Sequence, residues 1–167
     1  MYHPDFSPVG LLVEGGVGRK PLNRADGEGN FFLKPNGVFF VGRGRAGVLE
    51  TGAFAAAGTE ATYATQSGPM LVIDGQIHPR FLPRSDSLNI RNGVGIMADG
   101  RVAFAISRAP VRFHDFATLF RDALGCRNAL YLDGSVSALS APDGLSVGWG
   151  IRVGPILAVF DRTAPVS

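Results

Sequence analysis

Turn-forming residues cut this chain so often that only one stretch leaves room for an amphipathic helix. The 23 glycines and 11 prolines are spread along the whole length rather than gathered in one tail. That distribution suits many short strands and turns, not a disordered segment. The exception is 115–125, where Phe116, Leu119, Phe120, Ala123 and Leu124 recur at helical spacing while Arg121 and Asp122 fall elsewhere. Asp115 or His114 is placed to cap its start and Gly125 to end it. With 46% hydrophobic residues in 167 positions, the chain can bury a real core. The expected fold is α+β: one domain over 1–167, mostly mixed or antiparallel sheet, with one main helix packed on a face and a few short helical turns.

Strand candidates follow the same punctuation. Val9 to Val13 reads as a first strand, followed by a Gly-rich turn at 14–18 and a polar loop at 20–30. Phe31 to Leu33 and Val38 to Val41 flank Pro35-Asn36-Gly37, which predicts a hairpin. Residues 53–57 suggest weak helix or irregular structure. Met70 to Ile77 predicts a strand, an Asp74-Gly75 turn and a return. The clearest hairpin runs from Asn92 to Ser107 around Ala98-Asp99-Gly100. Val147 to Val159 predicts one or two last strands, and no internal repeat or domain boundary stands out.

Composition removes several function classes. The formal net charge is +2 at a pI near 9.0, lysine occurs only at Lys20 and Lys34, and no run of Lys and Arg stands out. No nucleic-acid partner is expected. Cys126 is the lone cysteine, so neither an intrachain disulfide nor a cysteine-based metal site can form; a packed, inert thiol is expected. His3, His78 and His114 are isolated and lack the spacing of a helical metal pair. No apolar run approaches membrane-spanning length, and residues 1–5 have neither the basic start nor the apolar region of a secretory signal.

Chemistry concentrates in 128–137. Asn128-Ala129-Leu130-Tyr131-Leu132 has the length and residue types of a buried strand, and it ends in Asp133-Gly134-Ser135-Val136-Ser137. Asp133 thus falls at a strand end, and Gly134 allows a tight turn or the close approach of a ligand. A plain Asp-Gly hairpin turn explains the same letters. Gln66-Ser67-Gly68-Pro69 puts two polar side chains before a strand-breaking pair. Arg91-Asn92-Gly93 precedes another apolar strand, and Arg91 offers a planar fork to a phosphate or carboxylate. Asn23 and Asp26 lie in a loop that could line a cleft. The nucleophile elbow, the phosphate-binding loop, the dinucleotide fingerprint and the EF-hand pattern are all absent. Asp, Arg, Asn, Gln, Ser and backbone amides remain, a set suited to a polyhydroxylated or phosphorylated ligand.

Taken in order, Gln66–Gly75, Arg91–Gly95, Asp99-Gly100 and Tyr131–Ser135 resemble the phosphodiester glycosidase family, in its bacterial branch, and Tyr2–Leu11 fits that branch too. The blocks span nearly the whole chain. Two departures stand out. Relatives have a strand and an Asn-rich turn before the position of Tyr2, which implies that Met1 falls inside the domain and that N-terminal strands are missing. Many relatives also carry a run of glycines where this chain has Ser135-Val136.

The resemblance implies a hydrolase that cleaves the anomeric C–O bond of a sugar-1-phosphodiester, with an N-acetylglucosamine-like sugar and a setting in envelope polysaccharide turnover. Asp133 would be the carboxylate at the anomeric centre and Arg91 the holder of the phosphodiester. Gln66, Ser67, Gly68, Asn92, Gly134, Ser135, Asn23 and Asp26 would contact substrate. Asp5 and Asp26 are candidates for a second carboxylate. The expected partner is a small-molecule or polysaccharide substrate, with self-association possible through a sheet edge left open by missing strands. No cofactor is expected, and an exported or envelope-associated setting is implied. A non-catalytic carbohydrate- or phosphate-binding module and a metal-assisted hydrolase are the alternatives.

Overall fold

A computed structural model describes residues 3, 5–134, 136–148 and 156–160. Twelve strands are described: β1 (Leu12–Glu14), β2 (Val17–Lys20), β3 (Gly37–Gly42), β4 (Arg45–Glu50), β5 (Tyr63–Ser67), β6 (Met70–Ile73), β7 (Gln76–Ile77), β8 (Asn92–Ile96), β9 (Val102–Ile106), β10 (Asn128–Asp133), β11 (Leu139–Ser140) and β12 (Ser146–Val147). Two α-helices, α1 (Thr51–Ala56) and α2 (Phe113–Thr118), accompany them. The strands form two five-stranded sheets, ordered β2-β1-β5-β3-β4 and β7-β6-β10-β8-β9, plus the small β11-β12 pair. Every pairing is antiparallel. The α+β expectation holds.

Alternation along the strands explains the layering. On β10, Leu130 and Leu132 join Phe39, Val48, Met70 and Val94 in a core between the two sheets. Ala129 and Tyr131 turn the other way and pack with Phe116, Ala117, Phe120 and Cys126 beneath α2. On β3, Val38 and Phe40 face outward into a third cluster with Ala64, against which Phe54 of α1 packs. β10 therefore sits centrally in its sheet, with packing on both faces, as its unbroken apolar run requires.

The two Asp-Gly hairpins form at the expected places, as β6–β7 and β8–β9. Three expectations change. Residues 31–33 do not pair with β3. Instead Asn30–Phe32 forms a 3-10 turn that buries Phe31, whose carbonyl accepts a hydrogen bond from Asn36 Nδ2 at 3.0 Å. The partners of β3 are β4 and β5. Helix α2 starts at Phe113, two residues early, and its N-cap residue, Arg112, makes no side-chain cap. It then widens into a π-helical turn over Leu119–Ala123, where Leu124 N bonds Leu119 O at 3.0 Å. The extra residue in that turn rotates the face, so Phe116, Ala117 and Phe120 are buried while Leu119 and Ala123 are exposed. Gly125 does end the element, at φ 61°.

At the C-terminal side, the expected 147–159 strands have Val147 in β12 and residues 156–160 in no strand; 149–155 fall outside the described residues. Cys126 is buried, and a Cβ added to Gly95 would come within 2.7 Å of its Sγ, so thiol and glycine fit one another. Among the described residues no helix is long and apolar enough to cross a membrane.

Candidate active site

The two sheets end side by side, and the polar motifs meet there. β10 runs out at Asp133, opposite Asn92 at the start of β8, and the register shifts between Tyr131 and Asp133. A bulge of this kind re-aims the last side chain of a strand. The Asp133-Gly134 step does not close a hairpin, because β10 pairs with β6 and β8, and β11 pairs with β12. Asp133 is half-buried, and its Oδ1 accepts from the Gly134 N–H at 2.6 Å. None of the ion pairs among the described residues involves it. Gly134 is needed for contact rather than for its φ: a Cβ there would lie 2.6 Å from the Tyr131 hydroxyl and 3.2 Å from Ile90 O.

Arg91 is 1% exposed, an unusual position for a charged side chain. Its Nε donates to Val111 O at 2.8 Å and its Nη2 to Ser87 O at 3.1 Å, while the guanidinium lies 3.4 Å from the centre of the Phe113 ring. Its backbone N–H donates to Ser107 Oγ at 2.9 Å. The cation is held by carbonyl dipoles and a ring face, and no carboxylate pairs with it among the described residues. Burial lowers its pKa, and the neighbouring Tyr131 opposes that shift.

Tyr131 links the two charged groups. Burial, reinforced by the negative charge of Asp133, pushes its phenol up to about 12, against opposing effects of Arg91 and a hydrogen bond with Asn30. The hydroxyl therefore stays protonated and remains a donor across the physiological range. Its ring meets Phe113 edge-on at 4.9 Å, and Phe113 stacks on Phe81 at 4.7 Å, which stacks on His78 at 4.6 Å. The aromatic column fixes the position of the Arg91 fork.

The other candidates divide. Gln66 is buried, and both ends of its amide are engaged. Oε1 accepts from Leu11 N at 3.1 Å and Asn23 N at 2.8 Å. Nε2 donates to Asn23 O at 2.7 Å and Thr51 Oγ1 at 3.2 Å. Ser67 is fully buried, and its hydroxyl donates to Tyr131 O, tying the end of β5 to β10. Gly68 lets the chain pass Phe31 O, which a Cβ would approach to 2.6 Å. Asn23 is tied to Gln66 and, through Nδ2, to Val9 O at 2.8 Å. In this structure Gln66, Ser67 and Asn23 spend hydrogen-bonding groups on the protein itself. Asp26 is exposed and paired with Lys34 at 2.6 Å, which holds its carboxyl below the usual range. Asp5 is exposed and bonded to Ser7, with the same direction of shift. No described contact brings either acid to Asp133. Ser135 lies outside the described residues.

Tyr131, Phe113 and Asn30 were not singled out from the sequence. Tyr131 stands inside the apolar run and reads as core; its polar tip at a strand end was the available signal. Among the described residues no group of three or more His, Cys, Asp or Glu side chains could hold a metal ion.

The phosphodiester glycosidase family model matches residues 1–145. Uncharacterized protein YigE of Escherichia coli (strain K12) is 40% identical over 149 residues, covering 89% of this chain and 58% of that protein. The catalytic domain of zebrafish N-acetylglucosamine-1-phosphodiester alpha-N-acetylglucosaminidase, solved auto-inhibited by its pro-peptide, matches with a TM-score of 0.51 at 14% identity. That match covers 80% of this chain and 48% of the zebrafish one, and it speaks to the fold alone. The chain spans less than two thirds of either relative.

Proposed function

Because this chain belongs to the phosphodiester glycosidase family, we propose that it hydrolyses the glycosidic bond of a sugar-1-phosphodiester. The observation that carries the proposal is that a half-buried carboxylate, Asp133, and a buried guanidinium with no carboxylate partner among the described residues, Arg91, both act on the Tyr131 phenol at the end of β10. In the proposed reaction the anomeric C–O bond breaks and the electron pair leaves with the phosphate oxygen. Water supplies hydroxide to the anomeric carbon and a proton that passes through Asp133 to solvent or to the departing phosphomonoester.

Each group has a distinct task in this scheme. Asp133 faces the positive charge that builds on the sugar, and accepts the proton of the attacking water. Arg91 offsets the charge gathering on the departing phosphate from a fixed position, so little reorganisation is needed. Ordinary glycosidases need a second carboxyl group to protonate a poor alkoxide leaving group. A phosphate ester leaves far more readily, so one carboxylate suffices here and neither Asp5 nor Asp26 is required. The neutral Tyr131 hydroxyl keeps Arg91 and Asp133 apart and donates to whichever oxygen enters between them.

An N-acetylglucosamine-like sugar and a setting in envelope polysaccharide turnover, with the protein exported or envelope-associated, belong to the same proposal and rest on the family resemblance. The test is incubation with an N-acetylglucosamine-1-phosphodiester, reading free sugar and phosphomonoester. Equimolar release of both is expected, unchanged by chelator. Release of sugar phosphate instead would place the cleavage at P–O and overturn the assignment.

A further inference from the structure

A cavity of about 110 Å³ lies beside Arg91, between the 78–91 loop and the first turn of α2. Its titratable lining is entirely basic: Arg80, Arg91 and His114. Its walls are largely apolar, with Phe81 and Phe113 stacked 4.7 Å apart and Leu82, 65% exposed, among the lining residues. Two acids stand next to lining residues without belonging to the lining: Asp86, between Ser85 and Ser87, and Asp115, 3.8 Å from His114 Nδ1 and 3.5 Å from Arg112. Arg80 enters no ion pair among the described residues. Arg91 cannot swing away, because Val111 O and Ser87 O hold two edges of its fork.

The buried Arg91 guanidinium, fixed against apolar walls, attracts an anion more strongly than the same cation in water, and Arg80 adds an exposed positive charge beside it. Phosphate suits a planar guanidinium. The volume holds about four groups of water size at about 30 Å³ each. That is a phosphate and the first atoms of its ester, with the remainder leaving past Leu82. Ser85 and Ser87 are the hydroxyls of the lining, and each already accepts a bond within the loop, from Ser87 N at 3.2 Å and from Asn89 Nδ2 at 3.3 Å. Ester hydroxyls turned toward Phe81 and Phe113 would lose water without gaining a partner there.

We propose that this cavity binds a phosphomonoester with an apolar ester group, its phosphate meeting Arg91, Arg80 and His114 and its first carbons lying against Phe81, Phe113 and Leu82. Its place as the leaving-group side of the sugar diester rests on the function proposed above; the binding itself does not.

Titration calorimetry on the full chain with n-propyl phosphate, glycerol 3-phosphate and inorganic phosphate tests this. The two esters share three carbons and differ in two hydroxyls, so n-propyl phosphate is expected to bind severalfold more tightly. Arg80→Glu should weaken n-propyl phosphate about tenfold, or about 1.4 kcal/mol, with an unaltered unfolding midpoint. Arg101→Glu, an equal charge change in the β8–β9 turn, should leave it within about twofold. Equal losses in the two variants, or glycerol 3-phosphate binding as tightly as the propyl ester, would overturn the proposal. Competitive inhibition of diester hydrolysis by n-propyl phosphate tests the leaving-group role. Arg80-dependent binding without any diester hydrolysis would sink the proposed function and spare the cavity. Hydrolysis without such binding would do the reverse.

Discussion

Two polar clusters stand next to each other where the sheets end, and they differ in what their hydrogen-bonding groups are free to do. At the β5 end, the Gln66 amide accepts two bonds and donates two, all to the protein. Thr51 passes the network on to Asn36 at 2.7 Å, and Asn36 holds Phe31 O. At the β10 end, Asp133 has one described donor, the Gly134 N–H, for a carboxylate able to accept about four. Arg91 has carbonyl partners but no described counter-ion. Neutral groups fully consumed make a scaffold. Charged groups with capacity left over are the ones the proposed reaction uses. Residues that look alike in a motif can therefore have opposite roles.

Asp133→Asn tests the contrast hardest. It removes the charge and keeps the shape, so turnover should fall about a thousandfold, within the range for a proton-transferring group, while the unfolding midpoint barely moves. Full-rate hydrolysis by this variant would remove Asp133 from the reaction. Gln66→Leu should do the opposite. It strands the N–H groups of Leu11 and Asn23 and the carbonyl of Asn23, at about 1–3 kcal/mol for each group left unsatisfied. Urea unfolding should show a loss of about 3 kcal/mol or more, with turnover per folded molecule retained. A stable Gln66→Leu protein that fails to turn over would move Gln66 to the substrate.

Tyr131 gives the contrast a pH signature. Its folded pKa, about 12, is raised above the ordinary phenol value of 10.0. The native state thus holds the proton more tightly than the unfolded chain. The resulting stability is fully present below pH 10 and is lost as pH rises from there to about 12. It amounts to about 3 kcal/mol. Tyr131→Phe should abolish that alkaline loss when unfolding is compared at pH 9 and pH 11.5. An identical decline in both proteins would mean that another group titrates.

Much of this was legible from the chain, for local reasons. β10, the β6–β7 hairpin and the β8–β9 hairpin combine an apolar run with an Asp-Gly or similar turn, and all three signals act within a few residues. The strand-end positions of Asp133 and Arg91 were legible because each is a charge at the border of such a run. Phe31–Leu33 was misread because its conformation is set by Asn36 and by burial, not by its own strand propensity. The face of α2 shifted because one π-helical turn breaks the 3.6-residue period. The role of Gln66 was hidden by distance: its partners lie 43 and 55 residues away. Tyr131 was hidden by company, a phenol among leucines.

Ser67→Ala probes the boundary between the clusters, and its expected effect is the smallest. Ser67 ends β5 in one sheet, yet its hydroxyl donates to Tyr131 O on β10 in the other. Removing one neutral hydrogen bond should cost about 1 kcal/mol. The alanine methyl still fills most of the buried space, so the loss should not grow through a cavity. If Ser67 belongs to the scaffold, turnover per folded molecule stays within about twofold, the effect of a slight displacement of Tyr131 and Asp133. If Ser67 reaches the substrate, KM rises severalfold while the unfolding midpoint hardly changes. Reading KM, kcat and the midpoint on the same preparation separates the two. A raised KM at unchanged stability would show that β5 contributes to the site and that the division between the clusters is drawn in the wrong place.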